Sequence, residues 1–260
     1  MINKNLNINS INYDYLNSNP NYAIIDDLFD VDLIKKCESE FIKMEDSDFF
    51  RYSDPQFEYE KYSLNNVDKM PTNLRSVFNY IHSSDFLKFV EKVTSFDKLF
   101  IDEKRWGGGL HMTKPGGYLS IHKDFNVLPD SYKNENQLLR CINLIGYITD
   151  EDQSNNDGYL EFWNNDDVVK IENKFNRWIL FDTRDNFHGH PYPFKGQKPR
   201  MSIASYYYIE TKVEEKFWKS TDYLRLPWME DSPEYMQKRK DRANPKLRYE
   251  KIYKGVKWKI

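Results

Sequence analysis

Only two cysteines, Cys37 and Cys141, occur in 260 residues. They are too few and too far apart for a disulfide framework or a thiolate metal site. No apolar run approaches the ~20 residues that a membrane-crossing helix requires. The opening MINKNLNINSINYDYLNSNPN is rich in Asn and has no apolar stretch behind a basic one, so neither a secretory leader nor a membrane anchor is expected. A reducing, cytoplasmic location is the expectation. No internal repeat or low-complexity tract follows that start. What the chain does have is aromatic mass: nineteen Tyr and seventeen Phe within 39% hydrophobic residues, despite a mean hydropathy of -0.83. That supplies the core of one large domain that folds alone.

The net charge of -3 conceals an asymmetry, because Met236 to Ile260 carries ten Lys or Arg against Asp241 and Glu250. Such a tail, interleaved with Tyr249, Tyr253 and Trp258, could bind an anionic partner, but a segment folded back on the acidic body is the simpler reading. A nucleic-acid partner is not expected, and the oligomeric state is not legible.

Periodicity divides the chain into three parts: residues 1–98 as a strand and helical support, 99–212 as a β-rich core, and 213–260 as a basic extension, all within one structural domain. Tyr22 to Ile25 reads as a short strand. An amphipathic helix follows from about Asp30, its plausible N-cap, with Leu33, Ile34, Cys37 and Phe41 on one face. Residues 45 to 75 show no clear period and read as loop, with FFRYSDPQFEYEKY a candidate lid. A second helix is expected from about Pro71 to Val93. From Leu99 onward, short β-rich runs alternate with Gly, Pro, Asn and Asp clusters: GGLHMTK, GYLSIHKDF, LLRCINLIGYIT, GYLEFWN, DVVKIE, RWILFDT and RMSIASYYYIE. Strands at such spacing indicate a mainly β sandwich or barrel with flanking helices.

The chemistry is carried by His122-Lys123-Asp124. In an extended segment residues i and i+2 share a face, so His122 and Asp124 can converge on one ion while Lys123 looks away. A histidine of Phe187-His188-Gly189-His190 can complete the set. Two imidazoles and one carboxylate on one face leave the other positions of an octahedral ion open, the arrangement of a non-haem Fe(II) site. His188 and His190 both remain candidates for the third ligand. His82 and His111 do not have ligand spacing, although His111 is close enough in sequence to line a pocket.

Five segments in order resemble the 2-oxoglutarate- and Fe(II)-dependent oxygenases, in particular their prolyl 4-hydroxylase-like branch. KPGGYLSIHKDFN resembles the glycine turn and HxD strand, RCINLIGYIT the next strand with its terminal tyrosine, and DGYLEFW the following turn and strand. RWILFDTRDNFHGHPYPF resembles the strand and turn bearing the distal histidine, and PRMSIASYYY the strand bearing the co-substrate arginine. The resemblance covers about residues 105 to 210 and implies a double-stranded β-helix, or jelly-roll, core. It implies Fe(II) held by His122, Asp124 and a distal histidine, with His188 favoured over His190. It also implies 2-oxoglutarate as co-substrate and dioxygen as oxidant, with ascorbate an accessory that it allows.

Arg200 opens an apolar strand, where its charge is costly without a partner. A dicarboxylate is such a partner, since the planar guanidinium grips a carboxylate through parallel hydrogen bonds. Ser202 shares its face. By the resemblance, Tyr147 helps hold the far carboxylate and Asn143, four residues earlier on that strand, lies beside it. Thr113 stands where many relatives have a pocket tyrosine. The expected activity is hydroxylation of an unactivated C–H bond, with decarboxylation of 2-oxoglutarate to succinate, on a small-molecule or peptidyl substrate. The alternative is a non-catalytic metal-binding jelly-roll or cupin-type module, in which Arg200, Ser202 and Tyr147 would be superfluous. A nucleic-acid demethylase usually carries a second arginine six residues after the first, and here that position is Tyr206. Substrate contacts are expected from residues 45 to 70 and 150 to 157.

Overall fold

The structure, a computed structural model, describes residues 1–11, 21–131, 134–150, 157–164, 167–184 and 186–245. Twelve strands among these residues form one antiparallel sheet. They are β1 (Tyr22–Asp26), β2 (Phe50–Asp54), β3 (Glu58–Leu64), β4 (Phe100–Ile101), β5 (Gly109–Lys123), β6 (Gln137–Tyr147), β7 (Leu160–Asn164), β8 (Asp167–Ile171), β9 (Arg177–Asp182), β10 (Phe187–His190), β11 (Arg200–Thr211) and β12 (Asp222–Tyr223). The helices are α1 (Val31–Ile42), α2 (Thr72–Tyr80), α3 (Ser84–Thr94) and α4 (Pro233–Ala243). Along the sheet the order is β1-β9-β6-β11-β5-β10-β7-β8. The expected mainly β jelly-roll core with flanking helices is what the chain forms.

The sheet folds over on itself at β5. Its first half pairs with β11, from Gly109 opposite Ala204 to Thr113 opposite Arg200, and its second half pairs with β10 through Leu119 and His122. The turn between the halves is Lys114-Pro115-Gly116-Gly117, where Gly116 takes a φ of +82° that a side chain would strain. GGLHMTK and GYLSIHKDF, read as separate strands, are therefore one long bent strand that belongs to both layers.

Alternation sorts the side chains of β6 and β11 by face. Met201, Ile203 and Tyr207 of β11, with Cys141, Ile142 and Leu144 of β6, join the outer core. There they pack with Ile34, Cys37 and Phe41 of α1, Leu74, Val77 and Phe78 of α2, and Phe86, Phe89 and Val90 of α3. Burying each such aliphatic or aromatic side chain contributes about 1.5–3 kcal/mol, and this locks the helices to the outer face. The opposite residues, Arg200, Ser202, Ala204 and Tyr206, face a cavity between the layers. The register between β6 and β11 shifts between Tyr207 and Tyr208, which stand opposite Ile142 and Arg140 and leave Cys141 as the extra residue. Such a bulge re-aims a side chain. It turns Arg140 to the same inner face as Asn143, three positions away.

Three expectations about local structure are corrected. Residues 45 to 75 are not simply loop, since β2 and β3 form a hairpin with β3 paired to β5. The signal was hidden because the strands alternate aromatic with charged residues and not apolar with polar ones. The helix expected from Pro71 to Val93 is two helices, because the Ser83 hydroxyl accepts the Phe86 N–H at 3.3 Å and starts α3 anew. Phe187–His190 is a strand of its own. Asp30 caps α1 as expected, accepting from Leu33 N–H at 3.1 Å. α4 folds back onto the hairpin, where Arg242 pairs with Glu58 at 2.9 Å and Asp54 at 3.5 Å. Residues 246–260, most of the basic tail, lie outside the described residues, as do 151–156 of the second expected substrate-contact segment. No helix among the described residues is long and apolar enough to cross a membrane.

Candidate active site

β5 and β10 bring the first three candidates together. His122 stands directly opposite His188 in the antiparallel register, with ring centroids 4.5 Å apart. The strands approach this closely because Gly189 has no side chain, and a Cβ there would lie 2.8 Å from the Leu119 and Ser120 carbonyl oxygens. Asp124, just past the end of β5, turns to the same side. Its Oδ1 is 3.7 Å from His122 Nε2 and its Oδ2 is 3.7 Å from His188 Nε2. One ligand atom from each of the three residues lies within 4.8 Å of the others.

Both imidazoles are oriented through their other nitrogen. His122 Nδ1 is 2.9 Å from the Ser120 carbonyl and His188 Nδ1 is 3.2 Å from the Asn186 carbonyl. An Nδ1–H donated to a carbonyl leaves the Nε2 lone pair facing the ion, the usual arrangement behind a metal-bound histidine. Burial lowers the His188 pKa to about 4, helped by His122, so the ring is a neutral donor. Burial alone raises the Asp124 carboxyl. The polar surroundings of His122, His188 and the Arg140 guanidinium outweigh it and hold the group well below the usual carboxylate range. Thr183 Oγ1 donates to Asp124 Oδ2 at 3.2 Å and fixes its plane. The donor set thus fits a first-row divalent ion.

His190 is not part of this cluster. It pairs with Leu119, lies 3.4 Å through Nε2 from Thr113 Oγ1, and lines the same cavity nearer Arg200. His111 also lines that cavity. His82 is elsewhere, with Nε2 3.0 Å from Ser205 Oγ.

Arg200 is buried and, among the described residues, has no carboxylate in ion-pair reach. Its Nε donates to the Gly158 carbonyl at 2.8 Å and an Nη2 to the Tyr147 hydroxyl at 2.9 Å. Burial lowers its pKa, as expected of a desolvated cation still lacking its counter-charge. Ser202 is cross-strand from Tyr147 and His111 and lines the cavity with Arg200. Tyr147 reaches the site through Arg200, and its hydroxyl, having accepted one bond, still has a proton to donate. Asn143 lines the cavity, with its Oδ1 buried and unpartnered. The cavity measures about 660 Å³.

Sequence reading missed Arg140 and Thr183. Arg140 lies 3.5 Å and 3.6 Å from the ring centroids of Tyr206 and Phe125, sandwiched between them, with Nη1 3.7 Å from Asp124 Oδ1. Its signal was available: an arginine inside the apolar run QLLRCINLIGY is as anomalous as Arg200. Thr183 carries no such signal, because its role depends on where β9 ends.

Residues 108–208 match the family model of the 2OG-Fe(II) oxygenase superfamily. That stretch contains every residue of the site and is similar to this superfamily of dioxygenases, whose members require Fe(II) and 2-oxoglutarate. Solved structures share the fold at low identity. A prolyl-4-hydroxylase of Pseudomonas putida superposes with a TM-score of 0.53 at 10% identity, over 72% of this chain and 91% of that one. HygX of Streptomyces hygroscopicus, with nickel, 2-oxoglutarate and hygromycin B bound, gives 0.51 at 12% over 73% and 83%. A Trichoplax adhaerens prolyl hydroxylase, in complex with a hypoxia inducible factor oxygen degradation domain peptide fragment, gives 0.50 at 16% over 72% and 83%. No curated protein matches the chain.

Proposed function

We propose that the chain hydroxylates an unactivated C–H bond of a small-molecule or peptidyl substrate, with His122, Asp124 and His188 as the iron ligands and Arg200 as the anchor of 2-oxoglutarate. The observation that carries this reading is the pairing of an ionised carboxylate between two oriented imidazoles with a buried guanidinium that has no counter-ion among the described residues, all in one cavity. Ferrous iron with 2-oxoglutarate and dioxygen supplies the oxidising chemistry, converting the keto acid to succinate and carbon dioxide while one oxygen atom enters the substrate.

The chain's own contribution is placement. Arg200 clasps the far carboxylate, and the Tyr147 ring, 4.7 Å from the guanidinium carbon, holds that guanidinium in line. Ser202 and the Tyr147 hydroxyl donate to the same carboxylate, and the Asn143 amide N–H is available to the co-substrate along the inner face of β6. Thr183 keeps Asp124 in plane. Because the third ligand is a carboxylate and not a small residue, no room is left for a halide, and hydroxylation is the default outcome. The walls of the cavity screen the reacting centre from competing reactions. Substrate-stimulated succinate formation, screened over prolyl peptides, amino acids and glycans with His122→Ala as the blank, tests the reading. Turnover equal in the blank and the wild type refutes it.

A further inference from the structure

The cavity holds a second buried guanidinium, Arg140, whose one carboxylate neighbour among the described residues, Asp124 at 3.7 Å, is also the proposed iron ligand. Arg140 is 1% exposed and lines the cavity. Its Nη2 is committed, donating to the Trp106 carbonyl at 2.7 Å and the Tyr208 hydroxyl at 3.2 Å. Its Nε–H, by contrast, is buried with no partner among the described residues. The two stacked rings hold it rigidly, so it cannot swing out to find water.

Charge decides what belongs beside it. At the cavity mouth, Lys61, Lys238 and Arg242 stand with Asp54, Glu58 and Asp241, and these charges offset one another. Resting on the proposed function, the ion's two positive charges are balanced by Asp124 and the near carboxylate of 2-oxoglutarate, and Arg200 by the far carboxylate. Arg140 is then a buried cation in excess, a costly state unless a ligand brings one negative charge. Two further atoms are unspent: Asn143 Oδ1 and His111 Nε2 are buried acceptors without partners, and both line the cavity. Ionised 2-oxoglutarate has no proton to give them. A substrate hydroxyl or amine does.

We infer that the substrate is a small molecule with a free carboxylate, bound by Arg140, and with hydroxyl or amine groups that meet Asn143 and His111. One excess positive charge suits a monoanionic carboxylate better than a phosphate dianion, which would leave a buried negative charge uncompensated. α4 supports a small ligand, since Lys238, Asp241 and Arg242 wall the mouth.

The test is calorimetric binding to full-length protein saturated with nickel(II) and 2-oxoglutarate. The probes are proline, alanine, lactate, glycerate and gluconate, each compared with its own primary amide. At least one acid is expected to bind, with its amide about 10- to 100-fold weaker, the range for losing a charged hydrogen bond. Arg140→Gln brings the acid down to its amide, and Arg140→Lys retains part of the preference. Equal binding of acids and amides, no binding by any acid, or an undiminished preference in Arg140→Gln overturns the inference. Should Arg140→Gln not fold, the wild-type ratio and Arg140→Lys still decide. If the protein does not bind 2-oxoglutarate in a metal-dependent way, the oxygenase reading falls and takes this inference with it. If it does and acids are not preferred, only this inference falls.

Discussion

The floor of the cavity and its mouth are built on opposite electrostatic plans. On the floor, formed by β5, β6, β10 and β11, buried polar groups are held rigidly but left incomplete: among the described residues Arg200 lacks a counter-ion, and Asn143 Oδ1, His111 Nε2 and Arg140 Nε lack partners. At the mouth, formed by the β2–β3 hairpin and α4, charges satisfy one another, as Arg242 does with Glu58 and Asp54. An unsatisfied buried group destabilises the empty fold and is retained where a ligand completes it. A satisfied pair asks nothing of a ligand and contributes to the fold and to shape. The floor is therefore where ligands are recognised, and the mouth shapes access to it.

That contrast orders the consequences of substitution. The largest effect is expected from Asp124→Ala, which abolishes both nickel(II) binding and 2-oxoglutarate turnover. Retained stoichiometric nickel binding would remove Asp124 from the ligand set. Next comes Arg200→Gln, which lowers metal-dependent 2-oxoglutarate affinity about 10- to 100-fold, the size of a lost charged hydrogen bond, while nickel binding persists. An unchanged dissociation constant would move the co-substrate elsewhere in the cavity. Thr183→Val removes the hydrogen bond that orients Asp124, and metal affinity should fall about 10-fold. Titration with nickel(II) against a competing chelator resolves a change of that size. The smallest effect on binding belongs to the mouth: Arg242→Gln should leave 2-oxoglutarate affinity unchanged, its cost of about 1.5–3 kcal/mol falling on stability because the Glu58 carboxylate is buried. A loss of co-substrate binding comparable to that of the Arg200 variant would erase the distinction between floor and mouth.

The same division explains what could be read without coordinates. The strands of the floor are apolar on their outer faces, so their buried polar residues stood out as exceptions, and His122, Asp124, His188 and Arg200 were legible on that ground and by their order. The resemblance favoured His188 over His190, and the β5–β10 register supplies the physical reason, because both histidines face the cavity and only His188 stands opposite His122. Arg140 was missed although it was equally anomalous, because a bulge, and not simple alternation, turns it inward. The hairpin at the mouth was illegible for a different reason. Tyr52, Glu58, Lys61 and their neighbours are stabilised by ion pairs and ring contacts, which leave no hydrophobic period to detect.

The central claim is that the three-residue cluster and Arg200 form one composite site. Calorimetric titration of 2-oxoglutarate into the protein, with and without nickel(II), tests it most directly. The account predicts one equivalent bound only when metal is present, and weakened by Arg200→Gln. Binding of equal strength without metal, or none with it, would contradict the account.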